Sequence, residues 1–129
     1  MQTHAINWFE IPVMDFERAK QFYETIFSFQ MLDLQMGPAR MGFLLFDQQT
    51  QGSRGGAIVY NPEFYQPSKN GSLVYLNCEP DLQLVLSKVL EAGGEVVKEK
   101  QAVAPDQNLG YWALIHDTEG NRVALHSMH

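Results

Sequence analysis

Cysteine is nearly absent from this chain of 129 residues, which contains only Cys78. One cysteine excludes an intramolecular disulfide framework and fits a reducing compartment such as the cytoplasm. The sequence also has no apolar run long enough to cross a bilayer, and its N-terminus lacks the basic and then apolar pattern of a signal peptide. We therefore expect a cytoplasmic protein without a membrane partner, with Cys78 as a small buried side chain.

Positive charge is scarce as well. Nine Lys and Arg stand against 15 Asp and Glu, which gives a net charge of −6. Nucleic acids and anionic membranes are bound through clustered Lys and Arg side chains, so the charge balance argues against both as partners. Apolar side chains are plentiful at 45% of the residues, which is enough for the core of a single domain over residues 1–129.

Residues 6–29 predict a strand followed by an amphipathic helix, with Asp15 placed to cap the helix. The strand alternates between two faces, which carry Trp8, Glu10 and Pro12 on one side and Phe9, Ile11 and Val13 on the other. The helix carries one wide apolar stripe, formed by Ala19, Phe22, Tyr23, Ile26 and Phe27. The stripe must be buried, and the strand face with Ile11 is its nearest partner.

Residues 72–94 repeat this design about half a chain later, with Asp81 in the place of Asp15. The second strand alternates between Leu73, Tyr75 and Asn77 on one face and Val74, Leu76 and Cys78 on the other. The second apolar stripe consists of Leu82, Val85, Leu86, Val89 and Leu90, and Gly93 and Gly94 end that helix.

Further strands follow in each half, so the chain reads as a duplicated module. We place the first module at residues 1–62, a linker at 63–71 and the second module at 72–129. A lead-in at 1–5 and a polar loop at 47–56 complete the first half. Two similar βα units also arise by chance in small α+β domains. Phe64 and Tyr65 are unusual in a polar linker, and we expect them to pack over a cavity mouth or a neighbouring subunit.

Two short motifs carry a family resemblance. The first is the helix start Asp15-x-x-Arg18-Ala19-x-x-Phe22-Tyr23, and the second is the turn Asp117-x-x-Gly120-Asn121. With the duplicated order, the chain resembles the vicinal oxygen chelate superfamily, which includes glyoxalase I, extradiol dioxygenases and bleomycin resistance proteins. The resemblance covers nearly the whole chain. It implies an α+β fold of two tandem βαβββ modules, whose curved mixed sheets enclose one cavity with the helices outside, and a homodimer.

The resemblance also implies where a metal would sit. Enzymes of the superfamily hold a divalent ion through His, Glu or Gln on the concave sheet faces, with open positions for substrate oxygens. The matching positions are here Trp8, Leu73 or Val74, Ala57 and Ala124. None of these side chains can coordinate a metal. We therefore predict no metal and no cofactor, as in the metal-free glyoxalase-like members.

Strand alternation, taken with this fold, predicts the lining of the cavity. The predicted ligand-binding residues are Trp8, Glu10, Val59, Tyr75, Asn77, Trp112, Ala124 and His126. Val59 depends on the register of its strand, Trp112 faces either the cavity or the core, and Trp8 either lines the cavity or fills it. Aromatic walls with a few polar groups are typical of a small-molecule site.

Glu10 and His126 are the candidates for chemistry. Glu10 could meet a ligand donor or cation, or form a structural pair with His126 or Arg40. His126 could serve as a base or hydrogen-bond partner near neutral pH, or be a structural histidine. The sequence leaves open whether any reaction is catalysed.

Three functions follow from these residues. The favoured one is a glyoxalase-like, bleomycin-resistance-like homodimer that binds a small aromatic or amphipathic molecule without metal. The second is a metal-dependent lyase or dioxygenase with relocated ligands, for which His4, Glu10 and His126 are the available set. The third is an interaction module with a vestigial pocket and an exposed apolar patch around Phe64 and Tyr65.

Overall fold

The computed structural model describes residues 4–46 and 54–129. Its elements, in chain order, are β1 (Trp8–Pro12), α1 (Phe16–Phe27), β2 (Asp33–Met36), β3 (Ala39–Leu44), β4 (Gly55–Tyr60), β5 (Val74–Asn77), α2 (Leu82–Leu86), β6 (Glu95–Ala102), β7 (Tyr111–His116) and β8 (Arg122–Ser127). The start of the predicted lead-in and most of the predicted loop at 47–56 lie outside the described residues. The end of that loop belongs instead to β4, which begins at Gly55.

Each half of the chain forms a four-stranded mixed sheet, in the orders β1-β4-β3-β2 and β5-β8-β7-β6. The first and last strands of each half pair in parallel, and the other neighbours are antiparallel. This identical strand order confirms the predicted α+β fold of two βαβββ modules. In the described ranges no helix is long and apolar enough to cross a membrane.

Helix α1 begins as predicted. The Asp15 carboxylate accepts a hydrogen bond from the backbone N–H of Arg18 at 3.1 Å, which satisfies one of the free donors of the first turn. The buried face of the helix consists of Phe16, Ala19, Phe22, Tyr23 and Ile26. The helix ends at Phe27, and Ser28 takes a left-handed conformation with φ of 54°.

Helix α2 is shorter than its apolar stripe predicts, because it ends at Leu86. Beyond it, the N–H groups of Lys88 and Val89 bond to carbonyls three residues back, which winds the chain more tightly than an α-helix. Val89 remains buried, but the prediction was wrong for Leu90, which is 74% exposed. The tighter winding brings Leu90 round to solvent.

The two modules share one core, and the two sequence motifs meet where the modules join. The hydroxyl of Tyr23 donates to Asp117 Oδ2 at 2.7 Å, and the amide of Asn121 donates to the Pro12 carbonyl at 2.7 Å. These bonds anchor the turn between β7 and β8 to α1 and to the end of β1. The turn motif therefore connects the modules in addition to reversing the chain.

Glu119 completes this junction. Its Oε1 accepts the backbone N–H groups of Met14 and Asp15 at 2.9 and 2.7 Å, and its Oε2 accepts Arg18 Nε at 2.7 Å. Burial acts to raise the pKa of Glu119, but the Arg18 and backbone hydrogen bonds outweigh burial and hold that pKa below its ordinary value. Glu119 therefore joins the modules as a carboxylate.

Candidate functional site

The register of the first sheet identifies the face that points away from α1. Trp8, Glu10 and Pro12 of β1 pair with Gly55, Ala57 and Val59 of β4, and paired residues of parallel strands share a face. Trp8 is 40% exposed on this face, so it does not lie buried within the single chain. Val59 lies on the same face but is only 1% exposed.

The second sheet repeats this arrangement. Tyr75 and Asn77 of β5 pair with Ala124 and His126 of β8, and His126 pairs on its other side with Trp112 of β7. Trp112 therefore lies on the face of Ala124 and His126, which decides between the two placements that the sequence left open. Ala124 itself is fully buried.

The structure brings three of the predicted site residues together. Tyr75, Asn77 and His126 line a pocket of about 360 Å³ beside β5 and β8, together with Leu76 and Glu79. We call this the β5–β8 pocket. Glu10 instead lines a groove of about 230 Å³ between the modules. Within one chain, the other predicted residues border neither of these pockets, namely Trp8, Val59, Trp112 and Ala124.

Glu10 has a partner that the sequence did not predict. Its Oε1 accepts a hydrogen bond from the hydroxyl of Tyr65 at 2.6 Å, and this bond raises the pKa of Tyr65. Neither structural partner considered from the sequence contacts Glu10, because His126 bonds to the Leu109 carbonyl and Arg40 lies on the other face of the sheet, 4.2 Å from the Phe16 ring. An aromatic residue in a polar linker was the only sequence signal for this contact.

His126 is held by a loop. Its Nε2 lies 2.8 Å from the carbonyl oxygen of Leu109, in the segment between β6 and β7. This contact orients the ring, so His126 has the structural partner that one of its two interpretations required. The same ring also lines the β5–β8 pocket, so its structural contact leaves it accessible to a ligand.

The residues at the metal positions of the superfamily do not fit a divalent ion. Val74 packs against the core, which leaves Leu73 for the cavity face of β5. Leu73, Ala57 and Ala124 have no donor atom, and the indole of Trp8 can only donate a hydrogen bond. In the parts of the chain that the structure describes, no three His, Cys, Asp or Glu side chains are grouped as a metal site would require.

Cys78 is buried in the core, as predicted, with 2% of its surface exposed. Burial raises the pKa of its thiol to about 12, so the reactive thiolate does not form near neutral pH. Cys78 therefore supplies neither a nucleophile nor a metal ligand.

Comparisons with known proteins agree with this fold. A family model described as bleomycin resistance protein-like N-terminal matches residues 6–41. A glyoxylase-like domain-containing protein from Didymella fabae is 28% identical over 125 residues, which cover 93% of this chain and 91% of that protein.

Two solved structures show the same fold at low sequence identity. A glyoxalase I mutant from Zea mays superposes with a TM-score of 0.72 at 18% identity, over 95% of this chain but only 45% of the maize chain. TnmS3, an antibiotic binding protein from Streptomyces sp. CB03234, superposes with a TM-score of 0.65 at 21% identity, over 98% of both chains.

The N-terminal family match, the Didymella relative and the shared fold agree with the resemblance of this chain to the vicinal oxygen chelate superfamily. The chain spans less than half of the maize glyoxalase I chain and nearly all of TnmS3. It is thus glyoxalase-like and bleomycin-resistance-like in fold.

Proposed function

We propose that this protein binds a small aromatic or amphipathic molecule in its β5–β8 pocket, without a metal. The observation that carries the proposal is the convergence of Tyr75, Asn77 and His126 from two adjacent strands on one pocket of about 360 Å³. Ligand pockets in proteins have volumes of roughly 300–1,000 Å³, with apolar walls and a few polar groups that fix orientation.

Tyr75 supplies the aromatic wall. Its side chain is 54% exposed, and Leu76 also lines the pocket. A planar ligand can stack on the Tyr75 ring while Asn77 and His126 contact its polar groups. The likeness to TnmS3, which is described as an antibiotic binding protein, supports a binding role for this fold.

The absence of metal is part of the proposal because the donor set is unsuitable. The favourable free energy of binding would come instead from burial of the ligand's apolar surface, at about 25 cal/mol per Å².

We also propose that the protein is cytoplasmic and forms a homodimer. The homodimer is supported by large apolar side chains that are exposed on the sheet faces pointing away from the helices. These side chains are Trp8, Leu34, Met36 and Tyr75. The division into a first module at 1–62, a linker at 63–71 and a second module at 72–129 stays a prediction.

A fluorescence titration tests the binding function. Trp112 lies beside His126 on the pocket face, so a bound aromatic molecule should change tryptophan emission. We expect saturable changes with at least one of naphthalene, quinoline, indole and acridine. We expect Tyr75→Ala to weaken that binding about five- to tenfold, because one aromatic stacking contact is lost.

Tyr111→Ala is the matched control. Tyr111 is 38% exposed, pairs with Ser127 and therefore lies on the opposite face of the second sheet. Its replacement should leave the affinity unchanged. The proposal fails if none of the four compounds binds, or if the two variants weaken binding equally.

A further inference from the structure

Two backbone contacts fix the hydrogen-bonding roles of the β5–β8 pocket. The carbonyl oxygen of Leu109 can only accept a hydrogen bond, and it lies 2.8 Å from Nε2 of His126. Nε2 must therefore carry the proton. In the neutral ring the other nitrogen, Nδ1, then has a lone pair, and across the described ranges no partner occupies it.

A backbone contact fixes the orientation of the Asn77 amide in the same way, with the donor and acceptor roles exchanged. The backbone N–H of Glu79 can only donate, and it lies 3.0 Å from Oδ1 of Asn77. The carbonyl oxygen of the Asn77 amide therefore faces the backbone, and its NH₂ group is left to donate elsewhere. The Asn77 side chain is exposed at the pocket, so this donor is available to a ligand.

Glu79, the remaining charged group of the pocket, is already engaged. Both of its carboxylate oxygens lie 3.0 Å from the backbone N–H of Met128. Asn77 and His126 are direct neighbours on adjacent parallel strands, which run about 4.8 Å apart. The Asn77–His126 pair thus places one donor and one acceptor on neighbouring strands, in the same pocket as Tyr75.

We propose that the β5–β8 pocket selects planar aromatic molecules that carry a hydrogen-bond donor next to an acceptor, such as a lactam or an amide. The ligand N–H donates to Nδ1 of His126, and the ligand carbonyl accepts from the Asn77 amide. This inference rests on the proposed binding function and names the chemical class of the ligand. His126 acts here as a specificity-determining residue.

A matched pair of probes tests the inference. The planar lactam 2-quinolone has an N–H beside its carbonyl, whereas N-methyl-2-quinolone lacks that donor and keeps the aromatic rings. Calorimetric titrations at about pH 8 measure the affinity for both probes. We expect the wild-type protein to bind 2-quinolone about five- to tenfold more tightly than the N-methyl compound, the effect of one hydrogen bond.

His126→Lys removes the acceptor but keeps the structural contact, because the lysine ammonium can replace Nε2 in donating to Leu109 and has no lone pair to accept a hydrogen bond. We expect this variant to bind the two probes equally. Asn77→Asp keeps an oxygen towards the Glu79 N–H and replaces the donor by an acceptor, so it should weaken both probes about tenfold. His4→Gln, at an exposed position, should keep the wild-type preference.

The outcomes separate this inference from the binding function. Equal affinity of the wild-type protein for the two probes, an undiminished preference in His126→Lys, or no binding of 2-quinolone would each overturn the inference. The binding function would still stand as long as one compound of the fluorescence series binds and Tyr75→Ala weakens it.

Discussion

The hydroxyl of Tyr23 is a single buried group that joins the two modules. Tyr23 is fully buried, and its hydroxyl is 2.7 Å from Asp117 Oδ2. Asp117 also accepts the backbone N–H groups of Glu119 and Asn121 and the Asn121 amide, so this carboxylate organises the whole β7–β8 turn. Removing one hydroxyl therefore weakens a network and not an isolated contact.

We expect Tyr23→Phe to lower the free energy of unfolding by about 1–3 kcal/mol, because a buried carboxylate oxygen loses a donor. Urea denaturation measures this change. Burial, followed by the Asp117 charge, raises the pKa of Tyr23. The folded state thus keeps the phenol protonated while an unfolded tyrosine ionises above about pH 10, so stability should fall above that pH, and less steeply in the variant.

Tyr75→Phe is the control for this change, since its hydroxyl is removed from a side chain that is 54% exposed. It should alter the stability by less than about 0.5 kcal/mol. Equal stability of the Tyr23→Phe protein and the wild type would mean that the Tyr23–Asp117 contact contributes nothing net to joining the modules.

At the scale of elements, Gly94 lets β6 begin directly against α1. A Cβ atom at this position would lie 2.6 Å from the His116 carbonyl oxygen and 2.7 Å from the Phe22 ring. Neither neighbour can move freely, because one is backbone and the other is a buried aromatic ring. The close approach of the second module to the first helix therefore requires glycine here.

We expect Gly94→Ala to lower the free energy of unfolding by about 1–3 kcal/mol through overpacking. Gly71→Ala is the matched control, because no atom lies within 4 Å of a Cβ placed at Gly71. That variant should be neutral or stabilised by about 0.4–1 kcal/mol, since alanine restricts the unfolded chain. Thermal and urea denaturation compare the two, and an undisturbed Gly94→Ala protein would contradict the tight contact.

The elements also show how far the sequence predicts this molecule. The spacing of apolar residues was enough to predict α1, because its buried residues keep one helical period as far as Ile26. The same spacing wrongly predicted that Leu90 is buried, because apolar spacing does not distinguish an α-helix from the tighter turns that follow α2. The face of Trp112 was undecidable because β7 is apolar on both sides, and only pairing with β8 fixes it.

The candidate site was predictable only in part, for a related reason. Strand alternation places Tyr75, Asn77 and His126 on one face, and parallel pairing makes Asn77 and His126 neighbours. The partner of Glu10 could not be predicted, because Tyr65 lies 55 residues away and reaches β1 only through the path of the linker. Long-range contacts of this kind leave no periodic signal in the sequence.

At the scale of the whole molecule, the sheet faces away from the helices leave apolar side chains in solvent. Leu34 and Met36 of β2 are 49% and 51% exposed, and their pairing with Met41 and Ala39 puts them on the face of Val59. A monomer gains nothing from this exposure, whereas a second copy of the chain could cover it.

We therefore expect light scattering after size exclusion to give twice the chain mass of 14.7 kDa. The double variant Leu34→Glu/Met36→Glu should shift the protein towards monomer, because two charges would be buried in the interface. Leu84→Glu is the control: Leu84 is 58% exposed on α2, away from the sheet faces, and should keep the dimer. A monomeric wild-type protein would contradict the proposed dimer.

The meeting of Arg18 and Tyr23 with Glu119 and Asp117 has a consequence for recombination among relatives. The residues that carry the family resemblance hold the junction between the two modules and do not line the pocket formed by Tyr75, Asn77 and His126. First and second modules taken from different proteins of this fold should therefore assemble as chimeras wherever both motifs and Glu119 are kept. New ligand preferences can then arise by exchanging modules, without changes at the junction between them.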